Sequence, residues 1–376
     1  MTQIHGTCSD EFAAVRRAFG ANFAAGEELG ASVAVTVDGE FVVDLWAGDA
    51  DESGTPWSLD TIVNVYSTTK TMSGLCMLML ADRGELDFSA PVASYWPEFA
   101  QNGKEDVLVS HVMAHSSGLS GWEEPVSAAD LYDWDKLTGL LAAQTPWWEP
   151  GTAVGYHTFT QGFLQGEILR RVTGESMDSF FRREVSEPLG ADFHLCLDPE
   201  HDGRVGDLVP PPALGEAVLE AIESDSVASK SLANPRVTAM EPRTREWRAA
   251  LIPAAGGIGN ARSVGRVHSA MACGGSVDGV RLLSPQGVDT ALAEQIRGHD
   301  QVLRAESRFG MGFGLGTELM PLPDRCFYWG GWGGSVAIID LDRRLTISYV
   351  MNRMAGELSG DLRAAGVVLA AMAGVS

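Results

Sequence analysis

Basic residues are scarce: 27 lysines and arginines stand against 50 aspartates and glutamates, a formal charge of −23. Such a chain repels phosphate backbones and anionic membranes at a distance, so no nucleic-acid partner is expected. Cysteine is sparse too. Cys8, Cys76, Cys196, Cys273 and Cys326 are odd in number, scattered and without a Cys-x-x-Cys pair, which speaks against a disulfide scaffold and gives no zinc or thiol-redox pattern. Long apolar runs are missing: the most apolar stretches, near Leu75 and Ala365, fall well short of the ~20 residues a membrane span needs. The first ten residues hold no basic segment followed by an apolar one, so the sequence reads as cytoplasmic, with reduced and mostly buried thiols. No internal repeat is visible.

What is present is a chain of 376 residues, 45% hydrophobic and 20% charged, long enough for one large or two interlocked domains. Lysine occupies only Lys70, Lys104, Lys136 and Lys230. The first of these lies in residues 61–83, the stretch around which the rest is most easily placed. An extended run ends there at Ser67, Thr68 and Thr69 can cap a first turn, and Met72 to Leu80 is apolar nearly all round, as in a helix crossing a core. Gly84 closes it. Ser67 then sits where helix N–H groups lack partners, and Lys70 follows one turn deeper on the same face. A serine hydroxyl is a weak nucleophile until a base takes its proton, and a lysine desolvated by an apolar helix can be that base. Spacing alone leaves the matter open, because roughly 0.3 Ser-x-x-Lys matches arise by chance in such a chain. A capping serine beside a snorkelling lysine fits as well.

Around this stretch the hydrophobic pattern sets an order. Residues 9–25 read as a helix through Phe12, Val15, Phe19 and Phe23. Ala31 to Val37 and Phe41 to Trp46 read as strands joined by Asp38-Gly39, a hairpin signature. From Gly84 to about Ala250 the chain reads as an inserted run of short helices and loops. It includes an amphipathic helix from Gln161 to Val172, a second helix from Ser176 to Val185, and an exposed loop from Asp207 to Glu216. A helix from Ser263 to Met271 precedes sheet signals at Gly310 to Leu319, Arg325 to Trp329, Ser335 to Asp340 and Leu345 to Asn352. A helix from Leu362 to Ala373 follows, and the sheet is thus built from both ends of the sequence.

Two further constellations stand out. Pro150-Gly151-Thr152-Ala153-Val154-Gly155-Tyr156-His157-Thr158 is a glycine-bearing loop ahead of a helix, in which a tyrosine can hold its hydroxyl in a cleft. In Tyr328-Trp329-Gly330-Gly331-Trp332-Gly333-Gly334-Ser335 the glycines leave a strand bare enough for a substrate to approach, although taken alone such a run reads as a bulge or a turn. Together the three stretches resemble the serine β-lactamase and penicillin-binding-protein superfamily, in particular its class C branch and the family VIII carboxylesterases. Ser67-Thr68-Thr69-Lys70 is similar to the family's Ser-x-x-Lys, Tyr156-His157-Thr158 to its Tyr-x-Asn, and Trp329-Gly330-Gly331 to its Lys/His-Thr/Ser-Gly strand. Gly84-Glu85-Leu86-Asp87, His115-Ser116-Ser117-Gly118-Leu119, Glu187-Pro188-Leu189-Gly190 and Gly256-Gly257 fall in the family's order, so the resemblance spans residues 30–352.

The resemblance implies an α+β fold: an antiparallel sheet flanked by helices, from residues 1–83 and 253–376, with an all-helical domain of residues 84–252 inserted. It implies Ser67 as acyl-accepting nucleophile, Lys70 as base, Tyr156 as proton relay, and the backbone N–H groups of Ser67 and Trp332 as oxyanion hole. Trp329, Gly330, Gly331 and Thr158 would contact substrate, and no metal or cofactor is called for. Trp329 stands where the family has a cation, which points to esters with uncharged acyl groups. Thr158 stands where it has asparagine. The expected activity is a serine carboxylesterase for short to medium esters. A β-lactamase, D-amino-peptidase, small-amide hydrolase or acyltransferase uses the same residues, and a non-catalytic binding protein is the alternative of another class. Trp122, Trp147, Trp148 and Trp332 fit either an apolar pocket or the core. Three other patterns are set aside. His111 and His115 have zinc-helix spacing, but Val112 stands where a metalloprotease has glutamate. Gly333-Gly334-Ser335-Val336-Ala337 echoes a nucleophile elbow but leads into a strand, and Gly310 to Gly316 lacks the spacing of a dinucleotide loop.

Overall fold

Asp38 and Gly39 take left-handed backbone angles, φ 52° and 87°, which a two-residue hairpin needs and an Asp-Gly pair supplies. They join two of the nine strands that make up the main sheet among the described residues: β1 (Ile4–Cys8), β2 (Gly30–Val37), β3 (Glu40–Gly48), β4 (Ile296–His299), β5 (Glu306–Phe309), β6 (Gly314–Leu315), β7 (Cys326–Gly330), β8 (Val336–Asp340) and β9 (Leu345–Met351). In the computed structural model, which describes residues 2–223, 226–357 and 361–375, these form one antiparallel sheet ordered β1-β3-β2-β9-β8-β7-β6-β5-β4. At its centre the chain ends meet, with Val33 opposite Tyr349.

Both faces of the sheet are covered. Five helices matter here: α1 (Ala13–Ala24), α2 (Lys70–Asp82), α3 (Thr160–Thr173), α4 (Ala261–Ala272) and α5 (Leu362–Ala373). A Cβ on Gly265 of α4 would lie 3.5 Å from Ser348 Oγ, while Phe19 of α1 packs its ring 6.2 Å from that of Tyr349. Ser348 and Tyr349 are neighbours on one strand and point to opposite faces, so α4 covers one side and α1, packed on α5, the other. That is why β2 and β9 are buried along nearly their whole length and read as continuous apolar runs.

The expected α+β fold and its two-ended antiparallel sheet are present. Helix α2 is buried from Lys70 to Leu80, as its all-round apolar pattern implies. Helix α3 corrects the amphipathic expectation: Thr160 to Leu169 are all buried, because α3 is wedged against α2 and the helices Val109–Met113 and Trp134–Ala143. Its polar groups are satisfied inside, Gln161 Nε2 donating to Met113 O at 2.9 Å and Glu167 accepting from Trp134 Nε1 at 2.9 Å. The expected helix over 176–185 runs as Met177–Phe181, a π turn Arg182–Ser186 and a last turn Glu187–Leu189. The loop after Asp207 is less exposed than expected: Leu208 is buried, and Val209 N–H donates to Asn352 O at 2.7 Å. The sheet signal over 310–319 shrinks to β6, whereas β1, β4 and β5 were not anticipated, being short and without clean alternation. No helix among the described residues is long and apolar enough to cross a membrane.

Gly39 and Gly54 share left-handed angles, φ 87° and 88°, but a Cβ at Gly39 would come 2.5 Å from Val277 Cγ2 and one at Gly54 would meet nothing. Gly54→Ala should therefore cost only the backbone strain, about 1–2 kcal/mol, and Gly39→Ala distinctly more. Urea midpoints of the two variants check the ranking, and equal losses would contradict it.

Candidate active site

The chain leaves the short strand Val63–Asn64 through Tyr66, whose φ of 44° is rare for a non-glycine residue. Tyr66 is held there by burial, by its hydroxyl donating to Thr238 O at 3.0 Å, and by its carbonyl accepting from Thr69 Oγ1 at 2.5 Å. The left-handed residue turns the chain into a 3₁₀ turn, Tyr66–Thr69, which sets Ser67 at the mouth of α2. The threonines do not cap α2 as expected. Thr69 Oγ1 accepts from Gly257 N–H at 2.9 Å, and Thr68 Oγ1 lies 2.9 Å from Ser335 Oγ.

Lys70 is 1% exposed, and its Nζ reaches Ser67 Oγ at 3.2 Å, Thr158 O at 2.7 Å and Ala254 O at 3.0 Å. Burial holds its pKa well below the ordinary lysine value. Two of these partners are carbonyls, which can only accept, so they take two N–H bonds; in the neutral amine the remaining lone pair faces Ser67. Tyr156 also reaches Ser67, Oη to Oγ 2.7 Å. Burial raises its pKa, so the phenol keeps its proton and can donate to Ser67. Lys70 Nζ also lies 4.8 Å from the Tyr156 ring centroid.

Tyr156 sits on an irregular segment fixed from behind. Its N–H donates to Asp300 Oδ1 at 3.0 Å, and the same oxygen accepts from Val302 N–H at 2.8 Å and Leu303 N–H at 3.0 Å. Gly155 N–H donates to His115 O at 3.0 Å, and His157 N–H to His115 Nδ1 at 3.0 Å. His157 is buried between Gly155 O and Ser117 Oγ, each 2.7 Å away, and desolvation pushes its pKa down to about 3. Both histidines are therefore neutral parts of the wall.

Ser67, Lys70 and Tyr156 are thus brought together. Trp329 is near but placed otherwise than expected: it is 4% exposed and stacks on His115 at 5.4 Å, with Phe309 at 5.6 Å and Tyr156 at 6.1 Å, so it backs the tyrosine and offers substrate little surface. Gly330 is exposed. Gly331 could carry no side chain, since a Cβ would come 2.1 Å from Val65 O. Trp332 is half-buried with its ring 5.2 Å from Tyr66, and its backbone N–H has no backbone partner among the described residues. Thr158 meets Lys70 through its carbonyl, while its hydroxyl is buried without a hydrogen bond among the described residues. Trp122 is core; Trp147 and Trp148 donate to Glu123 and Ser116 O.

The set-aside patterns have other uses. The helix Val109–Met113 ends before His115, which has φ 59°, so His111 and His115 share no helix face. The Ser335 hydroxyl is committed to Val65 O at 2.8 Å. Asp300 escaped sequence reasoning, since a lone aspartate between histidine and glutamine carries no spacing signal.

With this geometry, the comparisons with known proteins are specific. A model of the family described as Beta-lactamase matches residues 15–372. The chain belongs to the beta-lactamase family. Within it, the chain is 36% identical over 371 residues to the Esterase/beta-lactamase LipL of Mycobacterium tuberculosis, covering 95% of this chain and 84% of that one. A crystal structure of a family VIII carboxylesterase superposes with a TM-score of 0.92 at 41% identity, over 98% of this chain and 99% of that one. A penicillin-binding protein homolog from Caulobacter crescentus does so with a TM-score of 0.91 at 40% identity, over 99% and 100%.

Asp300 accepts three N–H bonds through one oxygen, two of them buried and one partly so, so Asp300→Ala should destabilise this beta-lactamase-family protein by ~3 kcal/mol or more. Asp300→Asn keeps that acceptor and should lose under about half as much. Chemical denaturation of both variants decides. An alanine variant as stable as the parent would show that the loop is held by something else.

Proposed function

We propose that the protein is a serine carboxylesterase that works through an acyl-enzyme on Ser67. The observation that carries this reading is the Ser67 hydroxyl placed between the Lys70 amine at 3.2 Å and the Tyr156 phenol at 2.7 Å. Neutral Lys70 takes the hydroxyl proton as Ser67 Oγ attacks the ester carbonyl. The carbonyl oxygen becomes an oxyanion, held by the backbone N–H groups of Ser67 and Trp332; such a donor is typically worth ~10²–10³ in rate. Tyr156 gives its proton to the departing alkoxide, and the proton on Lys70 makes good the deficit. Water then attacks the acyl carbon, with the same groups taking and returning its proton, and releases the acid and Ser67.

The similarity to a family VIII carboxylesterase and to an esterase/beta-lactamase favours ester substrates. So does Trp329, which is buried behind Tyr156 and leaves its strand position without the cation that would meet a β-lactam or peptide carboxylate. A carboxylate there would forgo a charge-assisted hydrogen bond of ~1.5–3 kcal/mol, or about one to two orders of magnitude in rate. Short to medium esters with neutral acyl groups are the substrates this arrangement suits. The reading also divides the chain into a sheet unit, residues 1–83 and 253–376, and an inserted helical unit, residues 84–252, with Ser67 and Tyr156 meeting across the seam. A cytoplasmic location agrees with five free thiols.

Intact mass after incubation with p-nitrophenyl butyrate and with benzylpenicillin tests the reading. A butyryl adduct confined to Ser67 is expected, with fast ester turnover and at best marginal penicillin hydrolysis. Ser67→Ala and Lys70→Ala should each abolish turnover, and the double variant should be hardly worse than either, because the groups act as one unit. Activity remaining in Ser67→Ala would put the nucleophile elsewhere.

The pH profile follows from the depressed Lys70 pKa. Below it the amine is protonated and cannot accept, so kcat/KM should rise with pH along a limb below the ordinary lysine range of ~10.4. The raised Tyr156 pKa removes any matching fall at mildly alkaline pH. A flat profile from pH 6 to 10, with chemistry limiting, would contradict Lys70 as base.

A further inference from the structure

Ser335 lies in the glycine-rich run that echoes a nucleophile elbow but leads into a strand, and it is 3% exposed. Its hydroxyl donates to Val65 O at 2.8 Å. A hydroxyl has one proton, so the 2.9 Å contact with Thr68 Oγ1 must run the other way, Thr68 donating to Ser335. The result is a directed chain, Thr68 O–H to Ser335 O–H to Val65 C=O. The same Val65 carbonyl accepts Thr68 N–H at 3.3 Å, the bond that closes the turn around Ser67. The side chain of Ser335 is therefore bound to residues 65 and 68, the two sides of the nucleophile turn.

Its main chain does the same for the other segment. Ser335 O accepts Gly331 N–H at 2.8 Å, and Gly334 N–H donates to Gly331 O at 3.1 Å, closing the turn that contains Trp332. The two turns are in contact: a Cβ on Gly331 would fall 2.1 Å from Val65 O and 2.3 Å from Ser335 Oγ. One residue thus ties together the two backbone segments whose N–H groups are assigned to the oxyanion.

We propose that Ser335 is a positioning residue for the oxyanion hole, setting the distance between the Ser67 and Trp332 N–H groups without touching substrate. The inference rests on the acyl-enzyme reading above. Oxyanion donors act through placement, and a shift of a few tenths of an ångström weakens the tetrahedral state more than the bound ester. The loss should fall on kcat.

The test compares wild type, Ser335→Ala and Thr68→Val on p-nitrophenyl butyrate, with a boronic acid that forms a tetrahedral adduct on serine. Ser335→Ala should lower kcat about 10- to 100-fold with KM within about twofold, weaken boronic acid binding by a similar factor, and leave butyryl labelling on Ser67. Thr68→Val, which removes only the outer donor, should lose less. A Ser335→Ala enzyme with unchanged kcat, or with a change confined to KM, overturns the inference and leaves the Ser67 mechanism standing. Absence of a Ser67 adduct in wild type overturns both. If Ser335→Ala does not fold, Thr68→Val decides: a lowered kcat with unchanged KM supports the proposal, and unchanged kcat overturns it.

Discussion

A lysine amine with almost no exposure and, among the described residues, no carboxylate partner is the constraint on which this structure turns. Burial opposes its charge, and the carbonyls of Thr158 and Ala254 hold its nitrogen in place. These carbonyls come from parts of the chain far from Lys70 and from each other, so the amine is oriented only when both are docked. The arrangement costs stability: with the folded pKa depressed, the unfolded chain binds the extra proton. That cost is fully present below the folded pKa and is gone above the ordinary lysine pKa. Helix α2, buried from Lys70 to Leu80, supplies the apolar area that offsets it.

Burial opposes the charge of that amine, and among the described residues no charged side chain pairs with it. His115 and His157 are themselves desolvated, Trp329, Phe309 and Tyr156 present rings, and Asp300 turns an oxygen to three N–H groups of its own loop and of Tyr156. In a chain with 50 acidic residues this exclusion is notable, since one carboxylate beside Lys70 would favour the ammonium. The buried acid nearest the site, Asp300, spends one oxygen on backbone N–H groups.

Much of this was legible in the residues. The Asp38-Gly39 hairpin, the apolar α2, the strands β7, β8 and β9 and the helix α5 follow from local pattern, because each satisfies a short-range rule. Ser67, Lys70 and Tyr156 emerged from motif order. What stayed hidden depends on tertiary contact. The polar face of α3 looked solvent-facing because its partners, Met113 and Trp134, are distant in sequence. Trp329 looked like a substrate contact because its stacking on His115 leaves no trace in spacing. Asp300 binds backbone N–H groups, which almost every residue has, and Ser335 binds a carbonyl and a threonine some 270 residues away, so no local partner marks either.

The meeting of both chain ends at the centre of the sheet has a consequence for synthesis. The hairpin β2–β3 is local and can form early, but the free edge of β2, an apolar β-branched run, is matched only by β9. Until residues 345–351 leave the ribosome, a growing chain displays that edge unpaired, a template for pairing with other chains. Ser335, near the same end, supplies the hydroxyl that binds Val65 O and Thr68 Oγ1 on either side of Ser67. A nascent chain of this protein therefore carries its greatest risk of aggregation while its site is still open, and both conditions end with the same last strands.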